Sequence, residues 1–409
     1  MRTLTPNADA SPESPYAWLR LAVSVLLSSI GSVGMWSVVV ALPAVQAEFA
    51  SARAGASLPY TLAMVGFGLG AVVFGRLIDR LGMALPAALS AIALSVGFVA
   101  SAFSPNLTTF AIVNFVIGFG SSATFAPILA DISHWFTRRR GIAVSVCAAG
   151  NYVGGAIWPP VVQHLIAAYG WRGNQIIIGV FCLAAMLPLV LVLRRRLAHG
   201  LESDAAQSQR EARAARVPLS PNALFALLCV AGVSCCVAMA MPQVHIVAYC
   251  ADLGYGVANG ANMLALMLGF GIVSRVASGF VADRIGGLAT LMIGSVLQGL
   301  ALFLYLLADG LAPLYVISAL FGLFQGGIVP MYAVICRDYF PPEEAGARVS
   351  TVITSSIAGM ALGGWLSGVI FDLTGSYWQA FANGLIWNLV NLSIVVFLFL
   401  RARARPLPA

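Results

Sequence analysis

Apolar stretches of bilayer length, separated by short polar gaps, account for nearly all of this sequence. They fall near 18–42, 57–78, 84–103, 107–132, 141–166 and 174–193, and again near 221–247, 257–281, 286–308, 312–336, 346–371 and 378–400. Each is long enough to carry a helix of about 20 residues across roughly 30 Å of hydrocarbon. The pattern predicts an all-α integral membrane protein with twelve transmembrane helices. Between the two sets of six, residues 197–220 lose the apolar pattern and gather Glu202, Asp204, Glu211 and three arginines, which reads as a cytoplasmic linker. The expected organisation is a tail at 1–17, a six-helix bundle at 18–196, the linker at 197–220, a second bundle at 221–400 and a tail at 401–409. The first tail is polar and Pro-rich, and the apolar run after it is too long for a cleaved signal, so it is read as a retained first helix.

The two sets are copies of one plan. Gly75-Arg-Leu-Ile-Asp79-Arg80-Leu-Gly82 returns as Gly279-Phe-Val-Ala-Asp283-Arg284-Ile-Gly286, every shared residue displaced by 204 positions. Gly118 with Gly322, Phe136 with Phe340 and Gly155 with Gly359 keep the same offset. The register spans several helices, so the bundles are expected to be pseudo-symmetric.

Composition agrees with the pattern. With 60% hydrophobic and 9% charged residues, and a mean hydropathy of +0.91, the chain has too little polar surface to clothe a soluble globule. All 22 basic residues are arginine, and placing the N-terminus in the cytoplasm puts 19 of them on the inner side, among them Arg138 to Arg140, Arg194 to Arg196, Arg401, Arg403 and Arg405. Only Arg53 and Arg172 fall outside. The positive-inside rule therefore predicts both termini to be cytoplasmic, and the net charge of +7 reads as topology with no nucleic-acid partner. The Ala- and Arg-rich, Lys-free composition suits the inner membrane of a GC-rich bacterium. The seven cysteines lie within predicted helices and suggest neither a disulfide framework nor a metal site. There is no Walker loop, CxxC pair or nucleophile elbow, so neither an enzyme nor a cofactor is expected.

The repeated motif resembles the signature loop between helices 2 and 3 of the major facilitator superfamily, with Met83 and Gly287 where an arginine is usual. Within that superfamily the chain is similar to the monocarboxylate transporter and oxalate:formate antiporter branch over nearly its whole length. The likeness is carried by Trp36-Ser37-Val38 through Leu42-Pro43 to Glu48-Phe49, and by His134-Trp135-Phe136 followed by Arg138-Arg139-Arg140-Gly141. Gly154-Gly155 through Pro159-Pro160, and the stretch from Pro242 through His245 and Tyr249 to Asp252 and Gly254, carry the rest. The resemblance implies the major facilitator fold and assigns the motif residues Gly75, Asp79, Arg80, Gly82, Gly279, Asp283, Arg284 and Gly286 to gating. On physical grounds the glycines would allow tight turns and close helix approach, while the charges would pair at the membrane edge or merely anchor a short loop. Asp131, with His134, is placed at the inner gate.

Arg275 is the sharpest candidate for substrate chemistry. It precedes Asp283 by eight residues, about 12 Å inside the edge and close to the midplane. A basic group at that depth costs on the order of 2.5–3.5 kcal/mol even on the lenient insertion scale, so it is expected to face a wet cavity. Its repeat partner is Ala71, so duplication did not place it. A guanidinium is always charged and offers a planar fork, for which a carboxylate is the natural counter-ion; the alternative is an intramembrane ion pair, for which no acid lies at the midplane. The resemblance implies a substrate-binding arginine at this place in helix 8. It also shows departures: Gly271 stands where the proton-coupled animal members have an aspartate, and the helix 11 lysine of the antiporter side is absent. A single fixed charge favours a monoanion over a dianion such as oxalate.

Asn151, Tyr152, His245, Gln325, Ser355 and Ser356 are polar groups at membrane depth, each a candidate cavity contact or an interhelical hydrogen bond. Trp36, Phe125 and Trp158 could form an apolar wall for the carbon end of a substrate. The chain is thus expected to be a monomeric secondary transporter carrying a small lactate- or pyruvate-like carboxylate through a central cavity by alternating access. Its partners would be the bilayer and either a proton or a counter-anion. A major facilitator efflux pump for a drug or other metabolite is the competing reading and predicts an embedded acid; a membrane sensor predicts a further signalling domain.

Overall fold

The computed structural model describes residues 13–136, 139–195, 219–340 and 342–403. Residues 1–12 of the first tail, Arg138, Arg196 and the linker through 218, and 404–409 of the last tail lie outside the described residues, as do the side chains of Asp79, Arg140 and Arg403. All regular structure among the described residues is helical. Among the described residues, eleven helices are long and apolar enough to cross a membrane. One of them, Arg140–Val192, has 53 residues and as a straight helix would span about 80 Å, far more than one bilayer. It turns at Gly170, whose φ of 70° lies in the left-handed region that an L side chain enters only with strain. Its limbs are therefore separate spans, which brings the number to the twelve that the apolar pattern predicts.

In chain order these are α1 (Pro15–Glu48), α2 (Arg53–Leu81), α3 (Ala84–Ala102), α4 (Leu107–Trp135), α5 (140–169) and α6 (171–192). The second set is α7 (Pro221–Asp252), α8 (Val257–Ile285), α9 (Gly287–Leu307), α10 (Leu311–Tyr339), α11 (Pro342–Thr374) and α12 (Tyr377–Arg403). Local chemistry sets several boundaries. Ser14 and Ser220 accept from the N–H groups of Ala17 and Ala223, each ahead of a proline in the first turn, and Asn106 caps α4 through Thr109. Gly82 and Gly286 end α2 and α8 at φ 75° and 87°, each donating its N–H over 2.8 Å to a carbonyl four residues back.

The described residues form two compact units. The first comprises the described residues within Met1–Val45 and Leu62–Gly200, the second those within Gln46–Thr61 and Leu201–Ala409. The 204-residue repeat is visible in the packing of each. In the first, Gly118 of α4 lies against the backbone of Ala63 in α2; in the second, Gly322 of α10 lies against the backbone of Met267 in α8, and both partners carry the same offset. A Cβ at either glycine would collide with a carbonyl oxygen. Gly118→Ala and Gly322→Ala are each expected to lower stability by about 1–3 kcal/mol through overpacking, read as a fall in melting temperature of the detergent-solubilised protein. Gly75→Ala is the control, since a Cβ there would meet nothing within 4 Å.

The units differ in their polar content. In the first, the fully buried Arg20 of α1 makes a two-pronged ion pair with Asp131 of α4, both contacts 2.8 Å. It also donates to the hydroxyl of Tyr16 and the carbonyl of Arg195, and lies 4.8 Å above the ring of Trp135. In the second unit the positions 204 residues on are Leu224 and Ile335, both within an apolar core with Leu228, Leu291, Tyr332 and Phe340.

Candidate functional site

Both α4 and α10 are interrupted at repeat-equivalent positions, α4 by a departure from helical geometry and α10 where the N–H of Gly327 leaves the helical ladder for Ser274 while the backbone keeps helical φ and ψ. α4 passes through a 3₁₀ turn at Ser122–Thr124 and leaves helical geometry at Phe125 (φ −123°, ψ −94°) before resuming as Ala126–Trp135. α10 halts at Gln325, passes Gly326 and Gly327, and resumes as Ile328–Tyr339. Ser122 and Gly326 are 204 residues apart. Interrupted helices at matching places in two halves are where membrane transporters build ion and substrate sites, because half-helix ends offer oriented dipoles inside the bilayer.

Arg275 lies at the α10 break. On α8, Met267 and Gly271 are pressed against Gly322 and Gly326, and Arg275 follows one turn later on the same stripe. Its neighbour Ser274 accepts the N–H of Gly327 at 3.0 Å, so the second half of α10 begins beside the arginine. Arg275 is 9% exposed, and its carbonyl accepts from Ser278 at 3.0 Å. Gln325 ends the first half of α10. It is wholly buried, and neither atom of its amide has a hydrogen-bond partner among the described residues. A guanidinium, the positive end of a half-helix and a neutral amide thus share one level of the second unit. The corresponding stripe of α2 in the first unit ends in Ala71.

The other sequence candidates divide between the units. In the first unit Trp36, Asn151 and Tyr152 are buried on α1 and α5, with the Asn151 amide donating to the sulfur of Met35 at 3.7 Å. Phe125, at the α4 break, lies 6.2 Å from the ring of Phe67, and Trp158 donates to the carbonyl of Ser29 at 2.8 Å. In the second unit His245 is fully buried with both ring nitrogens engaged: Nε2 with the carbonyl of Gly364 at 2.8 Å and Nδ1 with the hydroxyl of Tyr377 at 3.2 Å. A carbonyl can only accept, so Nε2 carries the proton and Nδ1 accepts from the tyrosine. His245 is in this conformation a packing residue. Ser355 and Ser356 return their hydroxyls to carbonyls one turn back, at 2.9 and 3.0 Å.

Of the motif residues, Gly82 and Gly286 serve the tight turns expected of them. Close helix approach is not the reason for Gly75 or Gly279, because the space beside each is open. Arg80, Asp283 and Arg284 are exposed, and the side chain of Asp79 lies outside the described residues. Asp131 is bound to Arg20, which is not among its sequence-predicted neighbours His134 and Arg138 to Arg140. Arg20 and Arg53 are also buried, near the starts of α1 and α2, whereas Arg275 lies well inside α8. The signal that could have revealed Arg20 is its place within the first apolar run, with one aspartate inside the fourth.

Comparison with known proteins follows the same lines. The chain matches the family model of the Major Facilitator Superfamily over residues 24–311 and 263–409. It is 24% identical to Monocarboxylate transporter 13 of Rattus norvegicus over 307 residues, covering 74% of this chain and 70% of that one. It is also 24% identical to Monocarboxylate transporter 11 of Homo sapiens over 395 residues, 92% of this chain and 82% of that one. Among solved structures, a bacterial homologue of the human lysosomal transporter Spinster, in an inward-facing and occupied conformation, superposes with a TM-score of 0.70 at 14% identity. That superposition covers 95% of this chain and 96% of the other, and it speaks to the fold alone.

Proposed function

The chain belongs to the major facilitator superfamily, and on that premise we propose that it is a secondary active transporter of a small organic monocarboxylate, with Arg275 as the charge that binds the anion. It is a multi-pass membrane transporter and not an enzyme. The observation that carries the substrate reading is the buried Arg275 beside the α10 break: a permanent cation at membrane depth, next to a half-helix N-terminus, suits a carboxylate. The relatives named monocarboxylate transporters support it. Gln325 is the neutral group we assign beside the arginine; Asn151, Tyr152, Trp36 and Phe125 remain the first unit's candidate contacts. Ser355 keeps a smaller part, and His245 would contribute only by breaking its present bonds.

Transport would run by alternating access, driven by a co-transported proton or an exchanged anion, with the repeated motif and Asp131 gating the inner side. The arginine asymmetry supports cytoplasmic termini, and composition supports a bacterial inner membrane. The test is uptake of radiolabelled lactate, pyruvate, formate and oxalate into proteoliposomes, with a pH gradient and then an internal anion imposed. Saturable uptake of monoanions with little oxalate is expected, and the driving condition that works identifies the coupling. If none of these anions is carried and a lipophilic cation is expelled instead, the efflux alternative takes its place.

A further inference from the structure

The ends of α7, α9 and α11 and the start of α12, predicted to lie on the outer side and all within the second unit, enclose a cleft of about 450 Å³. Its walls are aromatic: Tyr249, Tyr305, Phe371, Tyr377, Trp378 and Phe381. Ring follows ring. Tyr305 is stacked on Phe381 at 4.7 Å, Tyr249 makes T-shaped contacts with Phe381 at 5.5 Å and Tyr377 at 5.3 Å, and Tyr377 lies 4.5 Å from Phe371. Two of the rings are fixed from behind, the Tyr377 hydroxyl by buried His245 and that of Tyr305 by buried Ser318 at 2.8 Å. A wall ordered in advance leaves little entropy to be lost when something binds to it. Two carboxylates, Asp252 and Asp309, share the cleft, and Asp372 follows Phe371 directly. One cation is already seated at the edge. The Arg53 guanidinium takes both oxygens of Asp252, at 3.0 and 2.8 Å, with its carbon 4.8 Å from the ring of Phe371 and 5.7 Å from that of Tyr377. Asp372 accepts the backbone N–H of the same arginine at 2.8 Å. Asp309 is exposed and has no hydrogen bond or ion pair among the described residues.

We propose that this cleft is a binding site for an organic cation, an ammonium or guanidinium group, with the aromatic rings as its walls and Asp309 as its counter-charge. Aromatic faces attract cations through their quadrupole, and a carboxylate beside them adds a full charge. The same wall already holds a guanidinium, so Arg53 demonstrates the chemistry within the chain itself. Nor are the rings inherited with the fold: 204 residues before Tyr249, Tyr305 and Phe371 stand Val45, Ser101 and Ala167. An anion entering here would meet Asp252 and Asp309, with Asp372 close by, and none of the lining comes from α8 or α10. The cleft is therefore separate from the carboxylate site proposed at Arg275, and the inference holds whatever the chain transports. An ammonium group can reach it from two sources, as a free amine in solution or as the headgroup of a phospholipid in the outer leaflet.

The test titrates the full chain, in phosphatidylglycerol nanodiscs, with choline and with 3,3-dimethyl-1-butanol, its uncharged isostere. Trp378 lines the cleft, so tryptophan fluorescence is the readout and Trp378→Phe supplies the blank. A saturable change is expected with choline, and binding about tenfold weaker or less with the neutral alcohol. Asp309→Asn and Tyr249→Leu are each expected to weaken choline by about threefold or more, and the melting temperature of Asp309→Asn should stay near that of the parent. Repeating the titration in discs that contain phosphatidylethanolamine separates the two sources: a raised apparent Kd for choline identifies the lipid headgroup as the occupant, and an unchanged one a free amine. Choline that binds no better than the neutral alcohol, or equally well to the parent and both variants, would overturn the proposal. So would a response that survives Trp378→Phe, since it would arise elsewhere in the chain.

Discussion

Arg275→Ala is expected to abolish saturable carboxylate uptake while leaving the protein folded. A carboxylate bound by the guanidinium fork would make two charge-assisted hydrogen bonds, each contributing about 1.5–3 kcal/mol. Losing both corresponds to a fall on the order of 10²-fold or more in uptake efficiency. The alanine leaves the closest approaches of α8 to α10 untouched, because Gly322 lies against the backbone of Met267 and Gly326 against that of Gly271. Arg275→Lys separates charge from shape: a lysine keeps the positive charge without the planar fork, and a partial rate with a raised KM is expected. Initial rates in proteoliposomes, normalised to incorporated protein and accompanied by melting curves, decide the matter. Normal transport by the alanine variant would remove the anion site from Arg275 and leave the superfamily assignment untouched.

The second large effect concerns stability. Arg20→Leu leaves Asp131 in a buried place without its partner, and breaking such a pair from one side costs about 3–5 kcal/mol. The hydroxyl of Tyr16 and the carbonyl of Arg195 would lose a donor as well. The second unit already displays an apolar solution at the same two positions, Leu224 and Ile335. The double variant Arg20→Leu with Asp131→Ile should therefore recover most of the loss, since a buried ion pair replaced by packed apolar groups is often neutral or stabilising. Melting temperatures of the wild type, both single variants and the double form a cycle that isolates the coupling. A double variant no better than its worse parent would mean that the ion pair holds a geometry the apolar pair cannot.

Periodicity and copying made the architecture legible. Segments of bilayer length follow from hydropathy alone, because a chain in hydrocarbon must satisfy its backbone internally, and continuous apolar runs of about 20 residues do so as helices. The offset of 204 residues then forecasts the paired turns at Gly82 and Gly286 and marks Gly118 and Gly322 as equivalents, whose helix contacts only the structure reveals. The depth of Arg275 follows by counting rises from Asp283. What escaped is long-range polar pairing. Arg20 meets Asp131 across 111 residues, and Arg53 meets Asp252 and Asp372 across 199 and 319. No local period marks such partners; they are fixed by which helix ends converge. For His245 the sequence leaves a cavity contact and an interhelical hydrogen bond both open, and its partners, the carbonyl of Gly364 and the hydroxyl of Tyr377, lie 119 and 132 residues away. The glycines at 75 and 279 share a motif with those at 82 and 286 without sharing their reason.

The turn at Gly170 has a bearing on how the chain is made. With a single residue between α5 and α6, and Arg172 just beyond it donating to the carbonyls of Ala102 and Ser104 at 2.6 and 3.1 Å, no loop exists that could be drawn across the membrane alone. The two spans have to enter the bilayer as one hairpin, and the direction of the second is dictated by the first whatever arginines flank it. For the biosynthetic machinery, these 53 residues are one insertion event.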